Sequence, residues 1–155
     1  MRLALVQKRA KEVGAPLAYV NMTGGQDDLV FDGDTIVVDK NGTVLTRAPQ
    51  FDDVLVIADI DCAVGTSQPD VIISIDETVQ LNEISPTVAE RLSDEAEVWQ
   101  ALVVGLRDYI AKNRFKSVVL GLSGGIDSAL VAAIAIDAVG ASNVCLLYTS
   151  PSPRD

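Results

Sequence analysis

The run Leu122-Ser123-Gly124-Gly125-Ile126-Asp127-Ser128 is where this sequence concentrates residue types able to do chemistry. Two adjacent glycines let a backbone approach a ligand with no Cβ in the way, and Ser123 and Ser128 add hydroxyl groups. At the start of a helix these residues would turn free N–H groups toward an anion. Asp127 is the odd member. A carboxylate beside a phosphate repels it unless a hard cation lies between them, which points to Mg²⁺ held jointly by Asp127 and phosphate oxygens. The blander reading is a glycine turn with a capping Asp or Ser. The run is neither GxGxxG nor GxxxxGKS/T, because no lysine follows the second glycine, so dinucleotide and γ-phosphate-transfer readings are disfavoured.

The elements around the run suit that role. Ser117 to Leu122 is continuously apolar and too short for a helix, the pattern of a strand covered on both faces of a parallel sheet. Asp127 to Val139 is alanine-rich with Leu130, Ile134 and Val139 on one side, and Gly140 sits where the helix should end. Strand, glycine turn, helix is the opening of an α/β nucleotide-binding sheet. Before it, a helix is expected from Asp94, with Asp94 and Glu97 in capping-box spacing and Lys112 and Arg114 near its end. Its apolar positions Val98, Leu102, Leu106 and Tyr109, flanked by Trp99, Val103 and Ile110, predict one wide buried face.

Upstream the character differs. Met1 to Val13, closed by Gly14, places Leu3, Val6, Ala10 and Val13 at helical spacing, and the helix should pack on a sheet. Strands are expected over Leu17 to Asn21 and Leu29 to Phe31, in a hairpin of Thr35 to Val38 and Thr43 to Thr46 around Asn41-Gly42, and over Val54 to Ile60. From Asp61 to about Asp94 the pattern weakens apart from an apolar run at Val71 to Ile75, which reads as an interdomain linker.

Charge and composition exclude several function classes. The 155 residues carry a formal charge of -10 without a Lys/Arg cluster, which argues against nucleic-acid or anionic-membrane partners. A phosphate ligand on so acidic a chain needs a local device such as backbone N–H groups or a divalent cation. Histidine is absent, excluding Ser-His-Asp, Cys-His and His-ligated metal chemistry within these residues. Cys62 and Cys145 form no CxxC or disulfide framework. With neither a signal peptide nor an apolar run of about 18 residues, a cytoplasmic location is expected.

The run Ser123 to Ser128 resembles the SGGxDS loop of N-type ATP pyrophosphatases, which cleave ATP to AMP and pyrophosphate. The stretches Gly105-Leu106-Arg107-Asp108-Tyr109 and Val119 to Ala138 resemble the start of the NAD⁺ synthetase domain in that group. Tyr19-Val20-Asn21-Met22-Thr23-Gly24-Gly25-Gln26-Asp27-Asp28-Leu29-Val30-Phe31-Asp32-Gly33 resembles the late part of the nitrilase-type amidase domain fused ahead of it in glutamine-dependent NAD⁺ synthetases. The resemblance implies an α/β protein: the end of an α-β-β-α nitrilase-like sandwich over 1–61, a linker over 62–94, and the start of a doubly wound parallel-sheet ATP pyrophosphatase domain over 95–144. It implies ATP-dependent amidation of nicotinic acid adenine dinucleotide through an adenylated intermediate, with glutamine or ammonia as nitrogen source and Mg²⁺ as cofactor. Gly121, Leu122, Ser123, Gly124, Gly125, Ile126, Asp127 and Ser128 are the expected ATP-binding residues, and Asp127 the metal ligand. A homo-oligomer is expected for the complete parent. The alternatives are another adenylating ligase with the same loop and a noncatalytic nucleotide-binding fragment.

The resemblance assigns no amidase triad. Cys62 falls after the last expected strand with no lysine or acid motif around it, and reads as a partly buried structural thiol rather than a nucleophile. Gln26, Asp27, Asp28 and Asp32 either face solvent or brace a loop, and bracing is the preferred reading. Residues 145–155 resemble a translated sequencing adapter, and a non-native tail is expected there. The chain reads as an internal fragment, inactive and poorly stable by itself.

Overall fold

A computed structural model describes residues 2–62, 65, 68, 70, 71, 84, 85 and 87–148. The fold is mixed α/β and divides into two compact units, Met1–Val20 with Asp34–Ala48 and Val54–Glu90, and Asn21–Gly33 with Pro49–Asp53 and Arg91–Asp155.

In the first unit, helix α1 (Arg2–Val13) lies on an antiparallel sheet of strands β1 (Leu17–Tyr19), β4 (Ile36–Val38) and β5 (Val44–Arg47), ordered β1-β4-β5. Its core is Val6 and Ala10 of the helix against Ile36 and Val38, with Leu3, Leu17, Tyr19 and Val44 around them. Gly14, at φ +70, ends the helix as expected, its N–H bonded to Ala10 O. Val13 departs from expectation: it is exposed, because the sheet beneath the helix meets only the stripe through Leu3, Val6 and Ala10.

The Asn41-Gly42 turn joins β4 to β5 as the dipeptide predicts. Asp39 organises it: Oδ1 accepts from the N–H groups of Asn41 and Thr43, and the Thr43 bond leads in holding this carboxyl below its usual pKa. Gly42 sits at φ +81, Gln7 Nε2 donates to its carbonyl at 2.8 Å, and a Cβ there would lie 2.8 Å from Lys11 Cε and 3.3 Å from Gln7 Cβ. Gly42→Ala should therefore cost about 1–3 kcal/mol, combining left-handed backbone strain with displacement of α1. Urea unfolding would measure it as a lowered midpoint at unchanged slope.

No strand forms over 54–60; Val54, Leu55, Ile57 and Ile60 are exposed and join no sheet. Cys62 at its end is exposed rather than partly buried. A different segment extends the sheet: Arg47 N–H donates to Thr87 O, Ala89 N–H to Arg47 O, and Thr46 Oγ1 to Thr87 O at 2.6 Å. The apolar run expected at 71–75 lies outside the described residues beyond Val71.

In the second unit, β2 (Thr23–Gln26) and β3 (Leu29–Asp32) form an antiparallel hairpin that packs on α2 (Asp94–Lys112). Strand β2 is not predicted from sequence, because Thr-Gly-Gly-Gln has the composition of a turn. Helix α2 starts as expected, but its cap is Ser93, whose Oγ accepts from Ala96 N–H. Glu97 leaves the box to pair with Arg91 Nη2 at 2.7 Å, and that hydrogen bond holds its carboxyl below the usual range. The buried face also differs. Val103, Val104 and Ile110 are buried and Trp99 and Leu106 half-buried, whereas Val98, Leu102 and Tyr109 are exposed. Helix α2 is apolar on more than one side, and its partner α3 (Ile126–Val139) meets the Trp99-Val103-Leu106 side through Ile134 and Ala138.

Strand β6 (Val118–Leu122), α3 and β7 (Val144–Tyr148) make a strand-helix-strand unit with β6 and β7 parallel, Val118 opposite Val144 through Leu122 opposite Tyr148. The parallel pairing is the one expected of a nucleotide-binding sheet. Burial on both faces is not seen: Val119 is 62% exposed, because α3 covers one face only. Leu130, expected to be buried, is half exposed; Ala132, Ile134, Ala135 and Ala138 carry the helix contact. Strand β7 contains Cys145 to Tyr148, the first residues of the segment expected to fall outside the family's pattern; residues 149–155 lie outside the described residues.

Candidate anion site at the start of the third helix

Strand β6 delivers the chain to Ser123, and α3 takes it up at Ile126, so the candidate loop spans a strand C-terminus and a helix N-terminus. Gly124 has φ +84, a conformation that glycine alone adopts without cost, and it turns the chain. Gly125 is the N-cap at φ -86 and ψ 159, with no side-chain cap. The first intrahelical bond runs from Ala129 N–H to Gly125 O at 3.2 Å. The amides of Ile126, Asp127 and Ser128 therefore precede the helical ladder and add to the positive end of the helix dipole.

The two serines hold the loop's shape. Ser128 Oγ donates to Gly125 O at 2.9 Å, which uses its single proton, so Ser123 Oγ is the donor in the 3.2 Å contact between the two hydroxyls. The sequence places both hydroxyls near a ligand; in the structure their protons are engaged within the loop and their remaining capacity is as acceptors.

The glycines leave room in front of the loop. A Cβ on Gly121 or Gly124 would meet nothing within 4 Å, and one on Gly125 only Ser123 Oγ at 3.6 Å. The protein's own packing thus has no need of a bare backbone at 121 or 125. Asp127 occupies the second helical position and is exposed. It is not the helix cap, and it makes no hydrogen bond or ion pair with the described residues. No group of three acidic or thiol side chains close enough to hold a metal occurs among the described residues, so a cation at Asp127 would share its coordination with the ligand. Mg²⁺ binds through one or two carboxylates plus phosphate oxygens and water, and a single unpaired carboxylate beside open amides fits that donor set. Leu122 and Ser128 are half-buried and the other members of the loop, Gly121 and Ser123 to Asp127, are exposed; all eight expected residues lie together at this turn.

The remaining singled-out residues lie elsewhere. Asp27 and Asp28 form the exposed tip of the β2–β3 hairpin, Asp27 at φ +50. Asp32 braces, as expected: Oδ1 accepts from Asn21 Nδ2 at 3.0 Å and its carbonyl accepts from Phe51 N–H. Cys62 lines a cavity of about 680 Å³ with Gly14, Pro16, Asp39, Lys40, Asp59 and Asp61. No helix is long and apolar enough to cross a membrane among the described residues.

Comparison with known proteins matches two family profiles to the chain. The carbon-nitrogen hydrolase family profile matches residues 1–70, and the NAD synthase profile matches residues 98–154. Single relatives span both parts: a glutamine-dependent NAD(+) synthetase of Synechocystis sp. is 40% identical over all of this chain and 25% of its own length. The chain as a whole is similar to glutamine-dependent NAD(+) synthetases. Another of these, from Xylella fastidiosa, is 46% identical over 92% of this chain and 24% of its own length. A glutamine-dependent NAD⁺ synthetase from Acinetobacter baumannii, solved in complex with adenosine diphosphate, superposes with a TM-score of 0.75 at 37% identity, covering 98% of this chain and 26% of that one. This chain thus spans about a quarter of the length of the relatives it matches.

Proposed function

We propose that the complete protein carrying this chain makes NAD⁺ by ATP-dependent amidation of nicotinic acid adenine dinucleotide, with glutamine as nitrogen source. A carboxylate oxygen of the dinucleotide attacks the α-phosphorus of ATP, and the bond to pyrophosphate breaks. The ammonia lone pair then attacks the acyl carbon, AMP departs with the C–O electron pair, and the amide nitrogen gives up its proton. The loop from Gly121 to Ser128 is the ATP-binding element, its amides at Ile126, Asp127 and Ser128 receiving the pyrophosphate charge as it develops. When bound, Mg²⁺ would neutralise phosphate charge at Asp127.

The observation that carries this reading is the open glycine loop at the head of α3, with an exposed, unpaired carboxylate in its first turn, inside the segment that matches NAD synthase. The domain reading follows: an α-β-β-α amidase sandwich ending at 61, a linker over 62–94, and a doubly wound synthetase sheet beginning at 95, in a cytoplasmic homo-oligomer. The complete protein with ammonia, ATP and nicotinic acid adenine dinucleotide should yield NAD⁺, AMP and pyrophosphate in equal amounts. Release of ADP and phosphate, or AMP release driven only by a different carboxylic acid, would overturn the assignment.

A further inference from the structure

The hairpin β2–β3 belongs to the carbon-nitrogen hydrolase match, and α2, on which it rests, lies almost entirely within the NAD synthase match. The contact includes charge-assisted bonds to the hairpin's main chain. Gly25 N–H donates to Asp108 Oδ2 at 2.7 Å, and Lys112 Nζ donates to Gly25 O, so two side chains one helical turn apart grip both polar groups of one buried residue. Three glycines allow the approach. A Cβ on Gly24 would lie 2.9 Å from Asp108 Oδ2, one on Gly25 3.0 Å from Gly105 Cα, and one on Gly105 3.1 Å from Val30 Cγ2. Helix α2 in turn packs on α3 through Val103, Ile134 and Ala138, and Trp99 Nε1 donates to Asp137 Oδ2 at 3.0 Å. The helix held this way is the one whose first turn forms the anion loop.

From this we infer that Asp108 and Lys112 are positioning residues: they form the joint through which the amidase-like part and the loop-bearing part of the enzyme are kept in step. The inference rests on the proposed function. Ammonia released at one centre is lost to water unless the second centre is held ready for it, and a rigid, directional, charge-assisted contact transmits a displacement where a greasy contact would slip. Both side chains are engaged with the backbone of Gly25 and not with the anion loop, so loosening the joint should spare the chemistry at each centre and impair their cooperation.

The test uses the complete enzyme with Lys112→Met, which keeps the stem and removes the donor, and with Asp108→Leu and Asp108→Asn, which remove and keep an acceptor for Gly25 N–H. NAD⁺ formation from ammonia, NAD⁺ formation from glutamine and glutamine hydrolysis are measured side by side. In Lys112→Met and Asp108→Leu, synthesis from ammonia should stay within about twofold while synthesis from glutamine falls about tenfold, with more than one glutamine hydrolysed per NAD⁺; Asp108→Asn should restore most of the loss. An unchanged ratio of glutamine-driven to ammonia-driven synthesis, or an equal fall in both, would overturn the joint. If the unsubstituted enzyme makes no NAD⁺ from ammonia, the proposed function fails first and the joint falls with it, which separates the two failures. Should Asp108→Leu not fold, Lys112→Met decides alone.

Discussion

Asp34→Asn should lower the stability of the protein by about 3–5 kcal/mol, the cost typical of breaking a buried ion pair and stranding its partner. Asp34 is 4% exposed, and its carboxylate accepts from Arg47 Nε at 2.6 Å and Nη2 at 3.0 Å, a two-bond fork, with Arg2 Nη1 at 3.2 Å on the same oxygen as Nη2. Both arginines hold parts of the first unit together. Arg47 ends β5 and bonds through its backbone to Thr87 and Ala89, while Arg2 begins α1 and lies over the Tyr19 ring at 5.6 Å. Asparagine is the informative substitution because Asp34 sits at φ +54, and asparagine tolerates that left-handed conformation about as well as aspartate. The change therefore isolates the charge: the guanidinium of Arg47, with its side chain only 14% exposed, loses its counter-ion while the backbone keeps its shape. Urea unfolding followed by circular dichroism measures it. A loss below 1 kcal/mol would mean that water or another acid compensates Arg47, and the cluster would then count as surface electrostatics.

That ion cluster was not legible in the sequence, and the reason is physical. Asp32-Gly33-Asp34 has the composition of a solvated turn, and nothing local says that Arg2 and Arg47, distant in sequence, will converge on its second aspartate. The elements that could be read are those whose signal is local. The Asn-Gly turn needs positive φ, Gly14 and Gly140 end helices, and the apolar run before Ser-Gly-Gly becomes a strand that pairs in parallel with the next. Strand β2 escaped because the glycines that serve its close approach to α2 imitate a turn, so the feature that fits the strand to its partner erases its propensity. On α2 the apolar period was visible, but a helix apolar on several sides leaves the choice of buried stripe to its neighbours, and Val98 and Tyr109 lost to Val103 and Ile110. Val54 to Ile60 fails as a strand for the complementary reason: an apolar alternation becomes a strand only where an edge is offered to it. The candidate site was the most legible part, since a helix-start anion loop is specified by consecutive residues; the bracing role of its serines depends on the rotamers that the turn imposes.

In the complete enzyme, Asp127→Asn should lower ammonia-dependent NAD⁺ synthesis by at least about tenfold, equivalent to ~1.4 kcal/mol of transition-state stabilisation, while folding stays nearly intact. Two roles compete for this carboxylate. As a purely structural first-turn acid it would interact with the helix dipole, worth about 0.3–1 kcal/mol of stability at an exposed position, and it would have no bearing on the reaction. A capping role is not available to it, because the N-cap is Gly125 and Asp127 is one full position inside the helix with no side-chain bond to the backbone. As a ligand of Mg²⁺ it must be ionised, within reach of a phosphate held at the amides of Ile126 to Ser128, and free of competing cations. The structure leaves it exposed and without an ion-pair partner among the described residues. Asparagine keeps the size and one oxygen but removes the charge that a hard cation requires, so the two roles separate cleanly. The ligand role predicts a lowered rate together with a raised half-saturating Mg²⁺ concentration, measured at fixed ATP, with a melting temperature shifted by no more than a few degrees. The dipole role predicts the same small shift in melting temperature with the rate and the Mg²⁺ dependence untouched. The second pattern would return Asp127 to a structural part and leave the loop's amides alone to meet the phosphate charge.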